Sequence, residues 1–187
     1  MFTLYVMHES KDFLDLTVHV LKTDMPGIVL QSFVYAAEIE GLQLEAAGNL
    51  ILTWLQNSTV RKHLTNNLDR LNSGVFEHWL SSDRESELPR MFFIMHKGHR
   101  IGYIRFQPYD FVNLTQSQRQ EKDDKDRLLI AIVIGNPTYW HQGYATAALK
   151  RIVTYISERQ VCGGLIAAIR PANTVSLRLF AMSGFKR

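Results

Sequence analysis

Residues 135–152, GNPTYWHQGYATAALKRI, join two halves whose conformational preferences are opposed. The first half carries Pro137 and ends at Gly143, so it cannot form a regular helix, whereas the Ala-rich second half favours one. The preceding residues 127–135, RLLIAIVIG, form a continuous apolar run, which predicts a central strand buried on both faces. The sequence therefore predicts a buried strand that turns sharply into an amphipathic helix.

The junction between this strand and this helix has the composition of an anion site. The first amides of a helix have no intrahelical partner, and together with the helix dipole they favour a phosphate. Gly143 lets the backbone approach an anion closely, and Ala145 adds little bulk. On these residues alone, a plain turn before a helix is the commoner explanation, so the phosphate site depends on further motifs.

Outside the junction, hydrophobic periodicity predicts a mixed α/β layer fold around a strand–helix–strand crossover. Residues 1–36 are hard to assign by period, although 15–24 and 27–35 alternate like strands, and we treat them as an N-terminal extension of uncertain role. The other predicted elements are strands at 38–45 and 165–170, a hairpin of strands at 90–97 and 100–107, and helices at 46–57, 59–64, 75–82, 143–159 and 174–183.

The composition of the 187-residue chain is that of an ordinary globular protein, with 46% hydrophobic and 21% charged residues. No apolar run approaches the roughly 20 residues that span a bilayer, so we expect no membrane partner. The single cysteine, Cys162, excludes a disulfide framework and fits a cytoplasmic location. The net charge of +3 is spread along the chain, which argues against nucleic acid as a partner, and no His or Cys spacing suggests a metal site.

The loop TYWHQGYAT resembles motif A of the GNAT acyltransferase superfamily, commonly written Q/R-x-x-G-x-G/A. The three fixed places of the motif fall on Trp140, Gly143 and Ala145. Trp140 departs from this consensus, but W-x-x-G-Y-A-T is the usual spelling in the branch that resembles ribosomal-protein alanine acetyltransferases. The longer stretch IGNPTYWHQG is also similar to a form found in siderophore and aminoglycoside acetyltransferases.

A second stretch, PANTVSLRLFAMSGF, resembles the N-x-x-S-x-x-x-(Y/F)-x-x-x-G-F ending of the same superfamily. The two motifs occur in the family order, and the resemblance extends over residues 38–187. The fixed places of the second motif are filled by Asn173, Ser176, Phe180, Gly184 and Phe185.

The resemblance implies an α/β fold with a mixed, mostly antiparallel sheet flanked by helices, which we place in a domain at residues 37–187. It also implies an enzyme that moves an acetyl group from acetyl-CoA to a primary amine by direct attack. The amine could belong to a small molecule or to a protein N-terminus. An alternative is a non-catalytic acyl-CoA-binding module of the same fold, and the basic pI leaves an RNA- or ribosome-associated role as a third.

Carried over residue by residue, the resemblance also implies how acetyl-CoA is held. The pyrophosphate lies on the start of the motif A helix, main-chain groups of the motif A strand serve the pantetheine arm, and the second motif holds that arm from the other side. The residues implied are Gln142, Gly143, Tyr144, Ala145 and Thr146 for the pyrophosphate, Val133 and Ile134 on the strand, and Asn173 opposite them.

The catalytic positions are where this sequence departs from the family. Many relatives carry an acidic base on the motif A strand, and those places hold Ile130 and Ala131. Many use a Tyr in the last helix as the acid, and that place holds Phe180. Ser176 is the candidate catalytic acid, since some ribosomal-protein acetyltransferases use the corresponding serine for the leaving thiolate. A polar contact inside a helix would explain Ser176 equally well.

The general base stays open on the sequence alone. A water chain is one alternative, because a bound amine can lose its proton at modest cost. The side chains that sequence position allows are Asp124, Asp126, Glu38 and Tyr109.

Relatives usually add a further hairpin strand after the Gly-Phe signature, whereas this sequence stops at Arg187. We therefore expect that the last strands of the family fold are missing, or that residues 1–36 or a second subunit of a homodimer cover that edge of the sheet.

Overall fold

A six-stranded mixed sheet forms the centre of the part of the chain that the computed structural model describes. That part comprises residues 5–6, 14–15, 19–64, 72–84, 88–108, 127–159 and 162–186. Two short strands near the N-terminus, β1 (Tyr5–Val6) and β2 (Leu14–Asp15), pair with each other in a separate sheet. The strands of the main sheet follow in chain order: β3 (Val20–Lys22), β4 (Ile28–Ser32), β5 (Met91–His96), β6 (His99–Pro108), β7 (Arg127–Ile134) and β8 (Gly164–Ile166).

Neighbouring strands of this sheet are antiparallel from β3 to β7, and β7 pairs with β8 in parallel. The predicted hairpin is β5–β6, and its turn has positive φ at both Lys97 (48°) and Gly98 (82°). Such a turn matches the right-handed twist of the strands it joins. The mixed, mostly antiparallel sheet confirms the fold class that the resemblance implied.

Helices cover both faces of the sheet: α1 (Phe33–Glu38), α2 (Leu44–Gln56), α3 (Ser58–Arg61), α4 (Ser73–Arg84), α5 (Tyr144–Glu158) and α6 (Thr174–Met182). On one face, α5 and α6 pack against a core that includes Phe106 and Leu149. On the other face, α1 to α4 enclose Trp54 and Phe76. No described helix combines the length and the apolarity that crossing a bilayer would require.

The predicted strand at 38–45 is wrong, because α1 ends at Glu38, residues 39–43 form a linker, and α2 begins at Leu44. Gly41 has a positive φ of 69°, and the Leu42 N–H donates to the Ala36 carbonyl oxygen at 2.8 Å, beyond the end of α1. Leu42 and Leu44 alternate with polar residues because both pack against the core beneath α1 to α4. The tertiary packing of a linker thus reproduces the period-2 pattern of a strand.

Strand β7 is buried on one face, but on the other face only Val133 is buried, in the core beneath α1 to α4, so the expectation of burial on both faces holds only in part. Leu128 and Ile130 are buried on the α5 side, whereas Ala131 is exposed. The predicted parallel neighbour at 165–170 pairs with β7 only as far as Ile166. The second half of β7 therefore faces a gap between the two strands.

The described strands that precede α1 extend the edge of the sheet opposite β8. Strand β4 pairs with β5 over its whole length, and β3 pairs with β4. Ser32 ends β4 and caps α1 by accepting a hydrogen bond from the Tyr35 N–H at 3.0 Å, so the strand predicted over 27–35 stops there. Strands β3 and β4 consequently lie at the edge opposite β8 and do not cover the β8 edge.

Candidate active site

Strands β7 and β8 separate after three pairs of residues, and a cleft opens between them. The last pair joins Leu129 to Ile166. Beyond it, residues 130–133 line one wall of the cleft and residues 167–169 line the other. Further lining side chains come from α2, the segment after α3, α4, β6 and α6: Leu55, His63, Leu64, Trp79, Tyr103, Asn173, Ser176 and Phe180.

The main-chain groups of β7 alternate between β6 and the cleft. The Gly135 N–H donates to the Ile101 carbonyl oxygen at 2.8 Å, which fixes the hydrogen-bonded pairs of the antiparallel register. In that register Val133 directs its N–H and C=O to β6, whereas Ile134 directs its own to the cleft side. The Ile134 carbonyl accepts a hydrogen bond from the Trp140 indole Nε1 at 2.9 Å, which holds the loop after β7 against the end of the strand.

Two residues with positive φ turn the chain from β7 into α5. After one 3₁₀ turn at Pro137–Tyr139, φ is 60° at His141 and 82° at Gly143. The Gln142 side chain donates from Nε2 to the Thr138 carbonyl oxygen at 2.7 Å, which directs that side chain back into the loop. This backbone confirms the predicted turn from strand to helix, with glycine at a left-handed position that it occupies without a Cβ penalty.

The first turn of α5 presents backbone amides that the helix does not use. Its first intrahelical bond runs from the Ala147 N–H to the Gly143 carbonyl oxygen at 3.0 Å, and no side chain caps the helix. The N–H groups of Tyr144, Ala145 and Thr146 therefore lack an intrahelical partner. With the helix dipole behind them, these amides suit a bound anion.

The turn before α5 contacts the cleft through Trp140 and His63. Their ring centroids are 5.5 Å apart, with the ring planes at 73°. His63 follows α3, is half-buried and lines the cleft. Because the Trp140 indole also bonds to the end of β7, this one side chain positions the loop against both the strand and the imidazole.

Asn173 joins the two sides of the cleft. Its side chain is buried at the start of α6, where Oδ1 accepts a hydrogen bond from the Ser176 N–H at 3.1 Å. Its Nδ2 donates to the His63 carbonyl oxygen at 2.9 Å. One amide thereby caps the helix that carries Ser176 and fixes the main chain that carries His63.

A family model described as an acetyltransferase (GNAT) domain matches residues 38–186. The chain belongs to the GNAT acetyltransferase family. This confirms the resemblance seen in its two motifs. A search of curated protein sequences gave no significant match.

Solved structures share the GNAT fold with this chain at low sequence identity. An acetyltransferase of the GNAT family from Bacillus anthracis is 17% identical, with a TM-score of 0.61 over 90% of this chain and 84% of that one. A ribosomal L7/L12 α-N-protein acetyltransferase in complex with coenzyme A is 12% identical, with a TM-score of 0.62 over 90% and 84%. An aminoglycoside acetyltransferase, AAC(6′)-Ib, in complex with coenzyme A is 19% identical, with a TM-score of 0.59 over 78% and 82%.

The residues at the family's acid and base positions line the GNAT cleft but cannot exchange a proton. Ile130, Ala131 and Phe180 all contribute to its walls, while Ser176 is half-buried there. Of the open candidates for the base, Glu38 is exposed at the end of α1 and is not among the residues lining the cleft. Asp124, Asp126 and Tyr109 lie outside the described residues.

Sequence reasoning missed His63 and Tyr103 as lining residues of this GNAT cleft. Burial raises the pKa of Tyr103 to about 12, so its phenol keeps its proton at neutral pH. The hydrogen bond that holds the His63 main chain comes from 110 residues further along the chain, which no local pattern could indicate. Among the described residues, no group of three or more His, Cys, Asp or Glu could hold a metal ion.

A second pocket shares Trp79 with the cleft and contains the buried carboxyl of Asp83. Its Oδ1 accepts hydrogen bonds from the Arg90 and Met91 N–H groups, and its Oδ2 has no partner within the described residues. Burial raises the pKa of Asp83 to about 6. The Arg105 guanidinium lies over the Trp79 ring at 4.1 Å and lines the same pocket, and burial lowers the pKa of Arg105.

Asp83 is expected to make the folded protein less stable as the pH rises from about 4 to about 6, because its folded-state pKa is the higher one. Below this range both states are protonated, and within it the unfolded chain releases its proton first. The free energy of unfolding should fall by about 3 kcal/mol relative to Asp83→Asn, which cannot titrate. Denaturant unfolding across this pH range measures the difference. The control is Asp24→Asn, because Asp24 is exposed. If the free energy of unfolding changed with pH equally in the wild type and in Asp83→Asn, the raised pKa of Asp83 would be contradicted.

Proposed function

We propose that this protein transfers an acetyl group from acetyl-CoA to a primary amine by direct attack. The observation that carries the proposal is the placement of an uncapped helix start beside a cleft between two diverging strands. The amides of Tyr144, Ala145 and Thr146 have no intrahelical partner, and the loop before them contacts the cleft through Trp140. Such amides suit a pyrophosphate, and the cleft suits the extended arm of the same molecule.

The residues present fit acetyl-CoA. Gly143 brings bare backbone to the anion site, and the side chain of Gln142 is turned toward Thr138, so both residues would serve the pyrophosphate through the main chain. Ile134 would offer its N–H to the pantetheine arm. Val133 would act through its position in the wall, because its main-chain groups are directed to β6.

Asn173 would meet the pantetheine arm from the α6 side. One N–H of its amide is committed to the His63 carbonyl, and an Asn amide has a second to donate. Acetyl-CoA supplies a thioester whose carbonyl carbon accepts a nucleophile. The protein must then hold the amine in line, accept its proton and protonate the departing sulfur, and we assign the last task to Ser176.

Ser176→Ala is expected to lower kcat by about 100-fold, the scale of one general acid, without changing the affinity for acetyl-CoA. The hydroxyl lines the cleft, whereas the backbone N–H of residue 176, which Asn173 caps, survives the substitution. Steady-state kinetics and calorimetry measure the two quantities. Ser183→Ala is the matched control, since Ser183 lies just beyond the end of α6 and its hydroxyl donates to the Leu179 carbonyl. Equal losses in both variants would assign Ser176 a structural role.

The named relatives of the fold support a primary amine as the acceptor class, either on a small molecule or at a protein N-terminus. The solved structures that share this fold include an aminoglycoside acetyltransferase and a ribosomal-protein α-N-acetyltransferase. In the cleft of this chain, the lining residues His63, Leu64 and Trp79 come from the α2 to α4 side and would border the acceptor.

Calorimetry with acetyl-CoA, followed by an assay of CoA release with a panel of primary amines, tests the proposed function. We expect binding at micromolar to millimolar ligand and release of CoA with at least one amine class. Absence of binding at millimolar acetyl-CoA would overturn the proposal. Binding of acetyl-CoA without release of CoA for any amine would instead support the non-catalytic acyl-CoA-binding module. That outcome would agree with Ile130, Ala131 and Phe180, whose side chains cannot exchange a proton.

A further inference from the structure

We propose that His63 accepts the proton of the attacking amine; this inference rests on the proposed acetyl transfer. The imidazole belongs to the short segment after α3 and lines the cleft together with Ala131 and Ser176. A histidine side chain can accept and release a proton near neutral pH, which the chemistry requires.

The position of His63 is fixed from two directions. The Trp140 ring lies 5.5 Å from the imidazole at an angle of 73°, so the imidazole contacts the turn that leads into α5. The Asn173 amide holds the His63 carbonyl at 2.9 Å, and the same amide caps the helix of Ser176. Trp140 lies in the turn before α5, and Asn173 lies at the start of α6. His63 is therefore held by the two segments that we propose bind acetyl-CoA. A proton acceptor needs such a fixed orientation.

The other side chains of the cleft cannot perform this role. Ile130 and Ala131 carry no proton acceptor, and Phe180 is apolar. Burial raises the pKa of Tyr103 to about 12, so its phenol stays protonated and cannot accept a proton at neutral pH. Asp83 lies in the adjacent pocket, where two backbone N–H groups hold one of its oxygens. Within the described lining, the imidazole is thus the group suited to be the base.

The transfer balances with His63 and Ser176 in complementary roles. Starting from the neutral amine, its nitrogen forms a bond to the acetyl carbon, and the carbon–sulfur bond breaks. The amine proton moves to an imidazole nitrogen of His63, and the Ser176 hydroxyl gives its proton to the sulfur. The proton on His63 then returns through water to the Ser176 oxygen. The products are an amide and free CoA thiol, and both side chains regain their starting states.

Few charged groups surround His63 in the described part of the chain. Its own segment carries Arg61 and Lys62, whose side chains are exposed. No carboxylate is among the described residues that line the cleft. Trp140 of the turn before α5 contacts the imidazole, Asn173 bonds to the His63 main chain, and Tyr103 of β6 and Ser176 of α6 line the same cleft.

The inference is tested with the full chain, acetyl-CoA and the best amine from the release assay. His63→Ala is expected to lower kcat by about 100-fold, to leave the affinity for CoA unchanged and to change the acidic limb of kcat/KM, to which ionisation of the amine itself also contributes, and added imidazole should restore part of the rate. His78→Ala is the matched control, because His78 is an exposed histidine on α4. An unchanged limb and rate in His63→Ala would overturn the inference. His63→Gln provides a second variant if the alanine variant does not fold.

A measurement without turnover gives an independent readout. In protein labelled at histidine, adding CoA should shift the ring signals of His63, assigned from His63→Gln, and leave those of His78 in place. No shift on binding would place the imidazole outside the site and overturn the inference. Failure of the proposed function has a different signature: the wild type itself would not bind CoA or would release none with any amine, and the inference would fall with it.

Discussion

Gly143→Glu is expected to abolish the binding of coenzyme A. The new carboxylate would stand at the start of α5, beside the amides of Tyr144 to Thr146 that we assign to the pyrophosphate. Like charges a few ångströms apart repel by about 1 to 4 kcal/mol near a protein surface, and the glutamate would also compete for the amides. The side chain must further adopt a φ of 82° and meet the Met25 methyl group at 3.0 Å. We expect an affinity loss of about 100-fold or more by calorimetry.

Two controls separate the charge from the strain of Gly143→Glu. Gly143→Ala adds the backbone strain and the Met25 contact without a charge, so it should lose much less affinity. Gly41→Glu adds the same charge at a φ of 69° in open space away from α5, and it should bind CoA as the wild type does. A folded Gly143→Glu protein with undiminished affinity would show that the pyrophosphate binds elsewhere.

Gly135→Ala is expected to destabilise the folded protein by about 3 kcal/mol or more, the upper range for an overpacked core. A Cβ at Gly135 would lie 2.0 Å from Cγ of Trp54 and 2.3 Å from two further atoms of its ring. The indole cannot move aside cheaply, since it is buried and stacks on Tyr103 at 6.4 Å and 15°. Denaturant unfolding monitored by circular dichroism measures the loss.

Gly164→Ala is the matched control for Gly135→Ala. It places the same methyl group in β8, where a Cβ would meet only side-chain atoms of Arg127 at 3.8 to 3.9 Å, an ordinary contact. The control should unfold at nearly the same denaturant concentration as the wild type. If Gly135→Ala did likewise, Trp54 would have to pack differently from the arrangement described.

The parts of the fold that the sequence predicted well are those set by local chemistry. The turn at Gly143 and the end of α6 at Gly184 both need a positive φ, and glycine reveals such positions. The apolar stripe of α5 packs against the sheet as its period of 3.6 requires, with Leu149 and Ile152 fully buried.

The parts that the sequence predicted poorly depend on contacts between distant segments. Residues 38–45 looked like a strand because Leu42 and Leu44 pack on a core that the local pattern does not reveal. Ala131 of β7 is exposed beyond the point where β8 stops pairing, and the apolar run alone gives no sign of where that pairing ends. The sequence did not predict His63 as a lining residue for the same reason, since Trp140 and Asn173, which hold it, lie in two later motifs.

The amide of Asn173 has a consequence for how such a protein can change its acceptor over evolution. Because this side chain fixes the main chain at His63 and the first turn of the helix that carries Ser176, the spacing between them cannot vary independently of residue 173. Trp79 and Leu64 border the cleft without taking part in that link. Under the proposed transfer to an amine, substitutions at these two positions would reshape the wall of the cleft while leaving the link through Asn173 unchanged.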